Sequence, residues 1–233
     1  MTQCKYAGLE LEVFAHAVNW KSYYRSHIAQ FLTGDVLEIG AGIGSTTRLL
    51  CNAAKSRWTC LEPDPALAEV LARDEELARL KCEILVGSLQ DIKKHRLFDA
   101  IIYIDVLEHI EDDTSELRSA VDHLRANGTL TVLAPAHQFL FTPFDKAVGH
   151  FRRYSKKTLL QAAPTTLQIE RLMYIDSVGS LASVANRFLL KSGMPGSRQI
   201  AFWDHVLVPL SKVLDRLLGY SIGKSVLAVW RKV

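Results

Sequence analysis

The chain has 233 residues, 48% of them hydrophobic and 23% charged, and a mean hydropathy of +0.08. This apolar content excludes a disordered chain, and the length suits one domain with a sizeable core. The net charge of +3 is too small to predict a nucleic-acid-binding protein. The sequence shows no signal peptide, no membrane-spanning apolar stretch and no C-x-x-C pair. These features predict a soluble, cytoplasmic protein with reduced, mostly buried thiols.

Short apolar runs alternate with helical patterns along the chain. After a helical segment at 11–32, strands are predicted at 36–39, 58–61, 83–86, 100–104, 129–133, 168–174 and 225–231. Helices are predicted at 45–54, 64–80, 114–125 and 156–163, the third ending at Asn127-Gly128. This alternation predicts an α/β fold with a doubly wound sheet.

Two segments depart from the alternation. Residues 136–154 form an insertion rich in His, Phe, Asp and Arg, predicted to be a lid over the site. Residues 177–219 form a second, helical insertion, interrupted at 193–196 and predicted to help shape the pocket. The whole chain, 1–233, is predicted to be a single domain.

A glycine-rich turn follows the first strand. Residues 38–44 read Glu-Ile-Gly-Ala-Gly-Ile-Gly, and the second strand ends in Glu62. The glycine spacing is G-x-G-x-G, whereas the dinucleotide fingerprint is G-x-G-x-x-G. Glycines at such a junction let a ligand approach the backbone, and a carboxylate ending the next strand can accept both hydroxyls of a ribose. A tight turn without a ligand is the alternative interpretation.

The fourth strand runs into an acidic turn, Asp105-Val-Leu-Glu-His-Ile110. With this turn, the glycine loop and Glu62, the chain resembles the class I S-adenosylmethionine (SAM)-dependent methyltransferases. The resemblance is closest to the small-molecule branch with ubiquinone-pathway and cyclopropane-fatty-acid-type enzymes. It implies a Rossmann-like class I methyltransferase sheet of seven strands, the last antiparallel, with helices on both faces. It also implies SAM as the cofactor.

The resemblance places the cofactor on the segments that follow the first four strands. Glu38 would help to hold the SAM ammonium group and Glu62 the ribose. Ser88 stands where many relatives carry an Asp that binds adenine, and Asp91 is the nearest acid or caps a turn. The residues implied in cofactor binding are Glu38, Gly40, Ala41, Gly42, Gly44, Glu62, Pro63, Asp64, Ser88, Leu89, Asp105 and Val106.

Four residues are candidates for catalysis: His109, His137, His150 and Tyr154. Histidine titrates near neutral pH and suits proton abstraction from an acceptor hydroxyl. His137 is favoured slightly over His150, because it lies nearest the end of the fifth strand, where ligands of such sheets bind. For His109 a packing role is an equal alternative.

Four further residues are candidates for binding the substrate: Tyr24, Asp145, Arg152 and Arg153. The arginines could clamp a carboxylate or phosphate. The alternative is an Arg–Asp network that only holds the insertion, and Tyr24 has packing as its alternative. Lys146, His150, Lys156 and Lys157 add to a local basic patch, which favours an acidic or phosphorylated small substrate.

A stripe of apolar residues at helical spacing follows in the second insertion: Trp203, Val206, Leu207, Leu210, Val213, Leu214, Leu217 and Leu218. Packing beside the sheet is the favoured interpretation. The alternatives are a homodimer face, a cover for an apolar substrate and a peripheral membrane contact.

The predicted function is SAM-dependent methyl transfer to an oxygen or nitrogen of a small-molecule acceptor. The alternatives are an NAD(P)-dependent oxidoreductase and a non-catalytic SAM-binding protein. No spacing of potential ligands predicts a metal site, and no basic, aromatic-rich stripe predicts a nucleic-acid partner.

Overall fold

The computed structural model describes residues 9–51, 56–185 and 196–233. Its strands are β1 (Asp35–Ile39), β2 (Arg57–Glu62), β3 (Glu83–Val86), β4 (Phe98–Ile104), β5 (Leu124–Pro135), β6 (Leu167–Ile175) and β7 (Ser225–Lys232). They form one sheet in the order β3-β2-β1-β4-β5-β7-β6. Strands β1 to β5 pair in parallel, and β7 is antiparallel to both of its neighbours. The predicted seven-stranded Rossmann-like sheet with an antiparallel last strand is confirmed.

Helices lie on both faces of this sheet. They are α1 (Leu9–Ala15), α2 (Val18–Ile28), α3 (Ser45–Cys51), α4 (Pro65–Ala72), α5 (Glu75–Arg79), α6 (Asp113–Asp122), α7 (Pro143–Ala147), α8 (Lys156–Ala162), α9 (Ser177–Ala185), α10 (Ser197–Phe202) and α11 (Val208–Leu217). Successive residues of a strand point to opposite faces. In β4, Ile101 and Tyr103 belong to the core that contains Leu117 of α6, while Ile102 belongs to the core that contains Tyr24 of α2.

Two predicted helices have different bounds in the structure. Residues 64–80 form α4 and α5, because the Asp74 carboxylate accepts a hydrogen bond from Leu77 N at 2.9 Å and starts a new helix. Helix α6 begins after its cap at Asp112 and ends at Asp122. Asn127, predicted to end that helix, lies inside β5 with φ +64°.

The segments outside the alternation have their own short elements. The predicted N-terminal helix 11–32 consists of α1, α2 and a 3-10 turn, Ala29–Phe31. The insertion 136–154 contains a 3-10 turn, Gln138–Leu140, and α7, and its two ends meet in a parallel bridge between Ala136 and Tyr154. Parts of the predicted helix 45–54 and of the interruption at 193–196 lie outside the described residues.

The apolar stripe of the second insertion does not pack beside the sheet as predicted. In this stripe Trp203 is buried and Leu207 half-buried, whereas Leu210, Val213 and Leu217 are exposed. The stripe faces outward because Asp204 and Asp215, on the other side of the same helical segment, face inward and are fully buried.

The described cysteines are free thiols, and Cys51 and Cys60 are buried as predicted. Cys82 Sγ lies 3.5 Å from Cys51 Sγ, a proximity that the sequence spacing does not show. Cys4 lies outside the described residues. Within the described ranges, no helix is both long and apolar enough to span a membrane.

Candidate active site

A cavity of about 1870 Å³ opens at the carboxyl ends of the parallel strands. Ligand pockets for a single small molecule measure roughly 300–1,000 Å³, so this space can hold two ligands side by side. Of the residues implied in cofactor binding, all but Gly44 line it. The predicted cofactor segments therefore meet around one space.

The glycine loop owes its shape to backbone conformations that favour glycine. Gly40 has φ +65°, and a Cβ atom there would lie 2.7 Å from Val106 Cγ2. Gly42 also has a positive φ, and its N–H donates a hydrogen bond to Glu62 Oε2 at 2.8 Å. The loop thus packs against the turn after β4 and is fixed by the end of β2.

Gly44 has a packing role. It has φ +76°, and a Cβ atom there would lie 2.8 Å from Leu71 and 3.0 Å from Leu77. This glycine lets α4 and α5 approach the start of α3.

Glu38 lies beneath the loop and is buried. Its Oε2 accepts hydrogen bonds from Thr47 Oγ1 at 2.7 Å and from Trp58 Nε1 at 2.8 Å. Burial raises the pKa of Glu38 to about 7, although both hydrogen bonds oppose the shift. One carboxylate oxygen therefore ties β1 to α3 and β2.

Glu62 joins the two loops that surround the cofactor space. Its Oε1 accepts from Asp64 N at 3.0 Å, while Oε2 accepts from Gly42 N. Burial raises the pKa of Glu62, and these two backbone hydrogen bonds counteract it. Asp64 itself caps α4 by accepting from Ala66 N at 2.8 Å.

Asp91 caps a turn, the second of its two predicted roles. Its Oδ2 accepts from Ser88 N and from Ser88 Oγ, both at 2.8 Å. The Ser88 hydroxyl donates its proton to Asp91, so its oxygen can only accept from a ligand.

Asp105 follows the end of β4 and lines the cavity. It has φ +54° and is accessible from the cavity, although protein surrounds it on its other sides. This surrounding protein raises the pKa of Asp105 to about 6, against the opposing charges of His150 and Lys224. A non-glycine residue in this conformation is uncommon, and such positions concentrate at functional sites.

His150 forms a dyad with Asp145 in the cavity wall. His150 Nδ1 lies 2.9 Å from Asp145 Oδ1, and Arg153 Nε donates to the same oxygen at 2.7 Å. Burial alone would raise the pKa of Asp145, but the hydrogen bonds from His150 and Arg153 hold it well below its usual range. A permanently charged, fully buried carboxylate thus orients the His150 ring.

His109 packs edge-on against His150, with ring centroids 4.6 Å apart. Desolvation and the neighbouring His150 lower the pKa of His109 to about 4, so its ring is neutral at pH 7. Both rings line the cavity.

Glu108 lies beside these two rings and is fully buried. Among the described residues, no side chain donates a hydrogen bond to either carboxylate oxygen, and His150 Nε2 lies 3.9 Å from Oε1. Burial raises the pKa of Glu108 well above its usual value. Glu108, His109 and His150 offer ligand atoms within 4.8 Å of one another, so they could hold a metal ion. Sequence spacing missed this cluster because His150 comes from the insertion.

The structure does not support the preference for His137. Its ring stacks near Tyr174 and Phe139, with centroids 4.7 Å and 5.4 Å away. His137 is not among the cavity-lining residues that the structure describes. Its φ of +68° turns the chain at the end of β5 and directs the side chain to β6.

Arg152 and Tyr154 anchor the insertion and do not line the described cavity. Tyr154 OH donates to Asp113 Oδ2 at 2.7 Å, and Arg152 forms an ion pair with the same carboxylate at 2.8 Å. Arg152 also donates to the backbone oxygens of Ile110 and Glu111. The predicted Arg clamp for an anionic substrate is therefore not formed, because acids of this chain already occupy the arginines.

Tyr24 and Lys224 also line the cavity. Tyr24, predicted to bind substrate, lines it but is buried, with its OH 3.1 Å from Thr46 Oγ1. Lys224, which sequence reasoning missed, lines it with Nζ 4.2 Å from the Trp203 ring centroid. Burial lowers the pKa of Lys224. It belongs to no motif, and only the fold brings it near Asp105.

Comparisons with known proteins match the part of the chain that carries the glycine loop. Residues 37–130 match the family model described as a methyltransferase domain. The chain is 23% identical over 103 residues to a ubiquinone biosynthesis O-methyltransferase from Rickettsia canadensis, a match covering 44% of this chain and 43% of that one. It thus spans less than half the length of that curated relative.

Solved structures share the fold at low identity. A putative sarcosine dimethylglycine methyltransferase from Galdieria sulphuraria superposes with a TM-score of 0.63 at 16% identity, covering 92% of this chain and 86% of that one. The N-methyltransferase NodS from Bradyrhizobium japonicum, in complex with S-adenosylhomocysteine, gives 0.56 at 16% identity, with 94% and 87% covered.

Proposed function

We propose that this chain, whose residues 37–130 match a methyltransferase domain, uses SAM as its cofactor and transfers the methyl group to an oxygen or nitrogen of a small, partly apolar acceptor. The observation that carries the proposal is the shared cavity. The glycine loop and Glu62 lie in the same space as the Asp145–His150 dyad.

The residues present fit SAM. Gly40 and Gly42 adopt conformations in which a Cβ would be strained, and they leave the backbone bare towards the cavity. Glu62 uses one lone pair of each oxygen for a backbone N–H, and the remaining lone pairs are suited to two ribose hydroxyls. Leu89 and Pro63 supply apolar contacts for the adenine ring.

SAM supplies an activated methyl group, so the protein must align the acceptor and remove its proton. We assign the base to His150. With Nδ1–H donated to Asp145, Nε2 is an acceptor that can take the proton of an acceptor hydroxyl or ammonium. The charged Asp145 then stabilises the imidazolium that forms, and Arg153 keeps Asp145 in place.

The acceptor side of the cavity is mainly apolar: Leu140, Phe144, Val148, Phe202 and Leu207 line it. The two arginines of the insertion are paired with Asp113 and Asp145, whereas Lys146 is exposed and lines the cavity. These surroundings favour a partly apolar acceptor over an acidic or phosphorylated one.

Calorimetry with S-adenosylhomocysteine tests the cofactor half of the proposal. We expect saturable binding by the folded chain and no binding of NADH, which would exclude the oxidoreductase alternative. A folded chain that fails to bind S-adenosylhomocysteine would overturn the proposal.

The transfer itself is tested by following S-adenosylhomocysteine release from SAM with a panel of apolar phenols and amines. We expect turnover with at least one acceptor and its loss in His150→Gln. Turnover that is unchanged in His150→Gln would refute the assignment of the base. Binding of S-adenosylhomocysteine without turnover of any panel member would favour the non-catalytic alternative.

A further inference from the structure

The helical insertion before β7 presents its apolar side to the outside. The part of this insertion that follows α9 consists of α10, a π-helical turn (Trp203–Leu207) and α11. Its exposed large apolar side chains are Phe202 (57% exposed), Val206 (42%), Leu210 (52%), Val213 (62%), Leu214 (39%), Leu217 (77%) and Leu218 (40%). We call this set, with Leu181 of α9 (68%), the apolar face. A contiguous exposed surface of this kind marks an interaction site.

The buried side of the same helices carries two aspartates beside the apolar Ile200, Trp203 and Val208, and these aspartates accept hydrogen bonds from other elements. Asp204 accepts from Asn19 N at 3.1 Å and from Trp20 N at 2.8 Å, in the first turn of α2. Asp215 accepts from Tyr23 OH at 2.7 Å and from Ser177 N at 2.9 Å. These buried bonds fix the rotation of the helices, so the apolar face cannot turn inward without leaving charges unpaired.

The charge around the apolar face is one-sided. In the described residues of 177–224, the acidic side chains are Asp204 and Asp215, and both are buried. Arg198 and Arg216 are exposed, and Lys212 is half-buried. Lys212 and Arg216 are four residues apart and so lie on one flank of α11, beside Val213 and Leu217. An apolar surface whose own helices expose cations and no acids in the described residues of 177–224 complements an anionic lipid headgroup layer.

We propose that the apolar face docks this protein on an anionic lipid surface. The side chains of Phe202, Val213 and Leu217 enter the acyl region, while the exposed Arg198 and Arg216 contact the lipid phosphates. A second copy of this chain is the weaker occupant, because it would bring the same cations and no exposed acid to the contact.

The cavity borders this face. Phe202 is exposed and also lines the cavity, together with Ala182 and Ser183 of α9 and Arg198 and Gln199 of α10. Docking therefore places one wall of the cavity against the lipid layer, so an apolar molecule could pass between them without crossing water.

Flotation with vesicles tests the proposal on the full chain. We expect co-flotation with equimolar phosphatidylglycerol and phosphatidylcholine at low salt, weaker binding to phosphatidylcholine alone, and release as salt rises. The exposed position of Leu217 makes Leu217→Asp compatible with folding, and we expect it to abolish flotation. Arg216→Glu should weaken binding by at least about five-fold.

Val70→Asp is the matched control, because Val70 is an exposed valine (51%) on α4, away from the apolar face. It should float like the unchanged chain. Equal flotation of Leu217→Asp and Val70→Asp would overturn the proposal. Absence of flotation by the unchanged chain would also overturn it. A dimer in analytical ultracentrifugation that Leu217→Asp dissociates would then assign the face to a second copy.

Discussion

His150 and Asp145 form a hydrogen-bonded pair whose carboxylate is fully buried, whereas the imidazole borders the cavity. Asp145 also caps α7, since its Oδ2 accepts from Thr142 N at 2.8 Å. The carboxylate that orients the ring is thus fixed by the backbone of the same insertion.

Removal of the His150 imidazole tests the base directly. We expect His150→Gln to lower kcat by roughly 10²–10⁴-fold, because proton transfer to a positioned base contributes about that much. The Kd for S-adenosylhomocysteine should stay within about two-fold. His137→Gln is the control, and a comparable loss of kcat there would contradict the assignment.

A chelator separates proton transfer from metal assistance at the same cluster. Glu108, His109 and His150 could hold a metal ion, so His150→Gln alone does not distinguish the two roles. We expect kcat to be unchanged by EDTA. Loss of activity in EDTA with recovery on adding a divalent cation would show that His150 acts as a ligand.

Glu62 is expected to control cofactor affinity. Glu62→Ala should weaken binding of S-adenosylhomocysteine by at least about 10-fold, since even one hydrogen bond to a charged group contributes roughly 1.5–3 kcal/mol. The change also leaves Gly42 N and Asp64 N without their carboxylate acceptor. Calorimetry with Glu76→Ala, an exposed glutamate of α5, provides the comparison, and equal affinities would refute the role.

Gly44 is expected to affect stability and not the cofactor. Gly44→Ala forces a Cβ into φ +76° and against Leu71 and Leu77, so we expect a loss of about 1–3 kcal/mol in the free energy of unfolding. Gly196→Ala is the control, because a Cβ there meets no atom within 4 Å. Urea unfolding measures both, and equal stability of the two variants would contradict the packing role.

The buried Glu38 makes stability depend on pH. Its pKa is about 7 in the folded chain and near 4.5 when unfolded, so between these values the folded state binds more protons than the unfolded state. Stability from this group therefore falls as pH rises from about 4.5 to 7, by roughly 3 kcal/mol at most. Glu38→Gln should remove this dependence of stability on pH. The Tm of Glu38→Gln minus the Tm of the unchanged chain should therefore be larger at pH 8 than at pH 5. Parallel curves of Tm against pH for Glu38→Gln and the unchanged chain would contradict this role of Glu38.

The sequence predicted the sheet well because buried parallel strands are continuous apolar runs, and each predicted strand lies within two residues of the observed one except the start of β5. There, Leu124 pairs with Phe98 before a shift in the register of β4 and β5. The start of β5 was not predicted because residues 125–127, Arg-Ala-Asn, do not form an apolar run. The boundary between α4 and α5 at Asp74 was not predicted either, since an Asp that caps a helix also fits the solvated face of a longer helix.

The cofactor side of the site was predictable because its residues follow strand ends in a fixed order. The acceptor side was not, because it depends on how residues distant in sequence meet: His150 reaches His109, while Arg152 is taken by Asp113. The direction of His137 depends on one backbone dihedral angle. The reversal of the C-terminal helices depends on where two aspartates find backbone donors, which helical spacing alone does not reveal.

The bridge between Ala136 and Tyr154 closes the insertion at its base, and Phe151 N donates to Glu108 O at 2.8 Å. These backbone hydrogen bonds hold the two ends of the insertion in place independently of the side chains between them. Exposed residues between these anchor points, such as Phe139 and Lys146, can be exchanged without disturbing the sheet. Acceptor preference could therefore diversify in evolution while the cofactor half remained the same, and grafting the segment between relatives is a practical route to new acceptors.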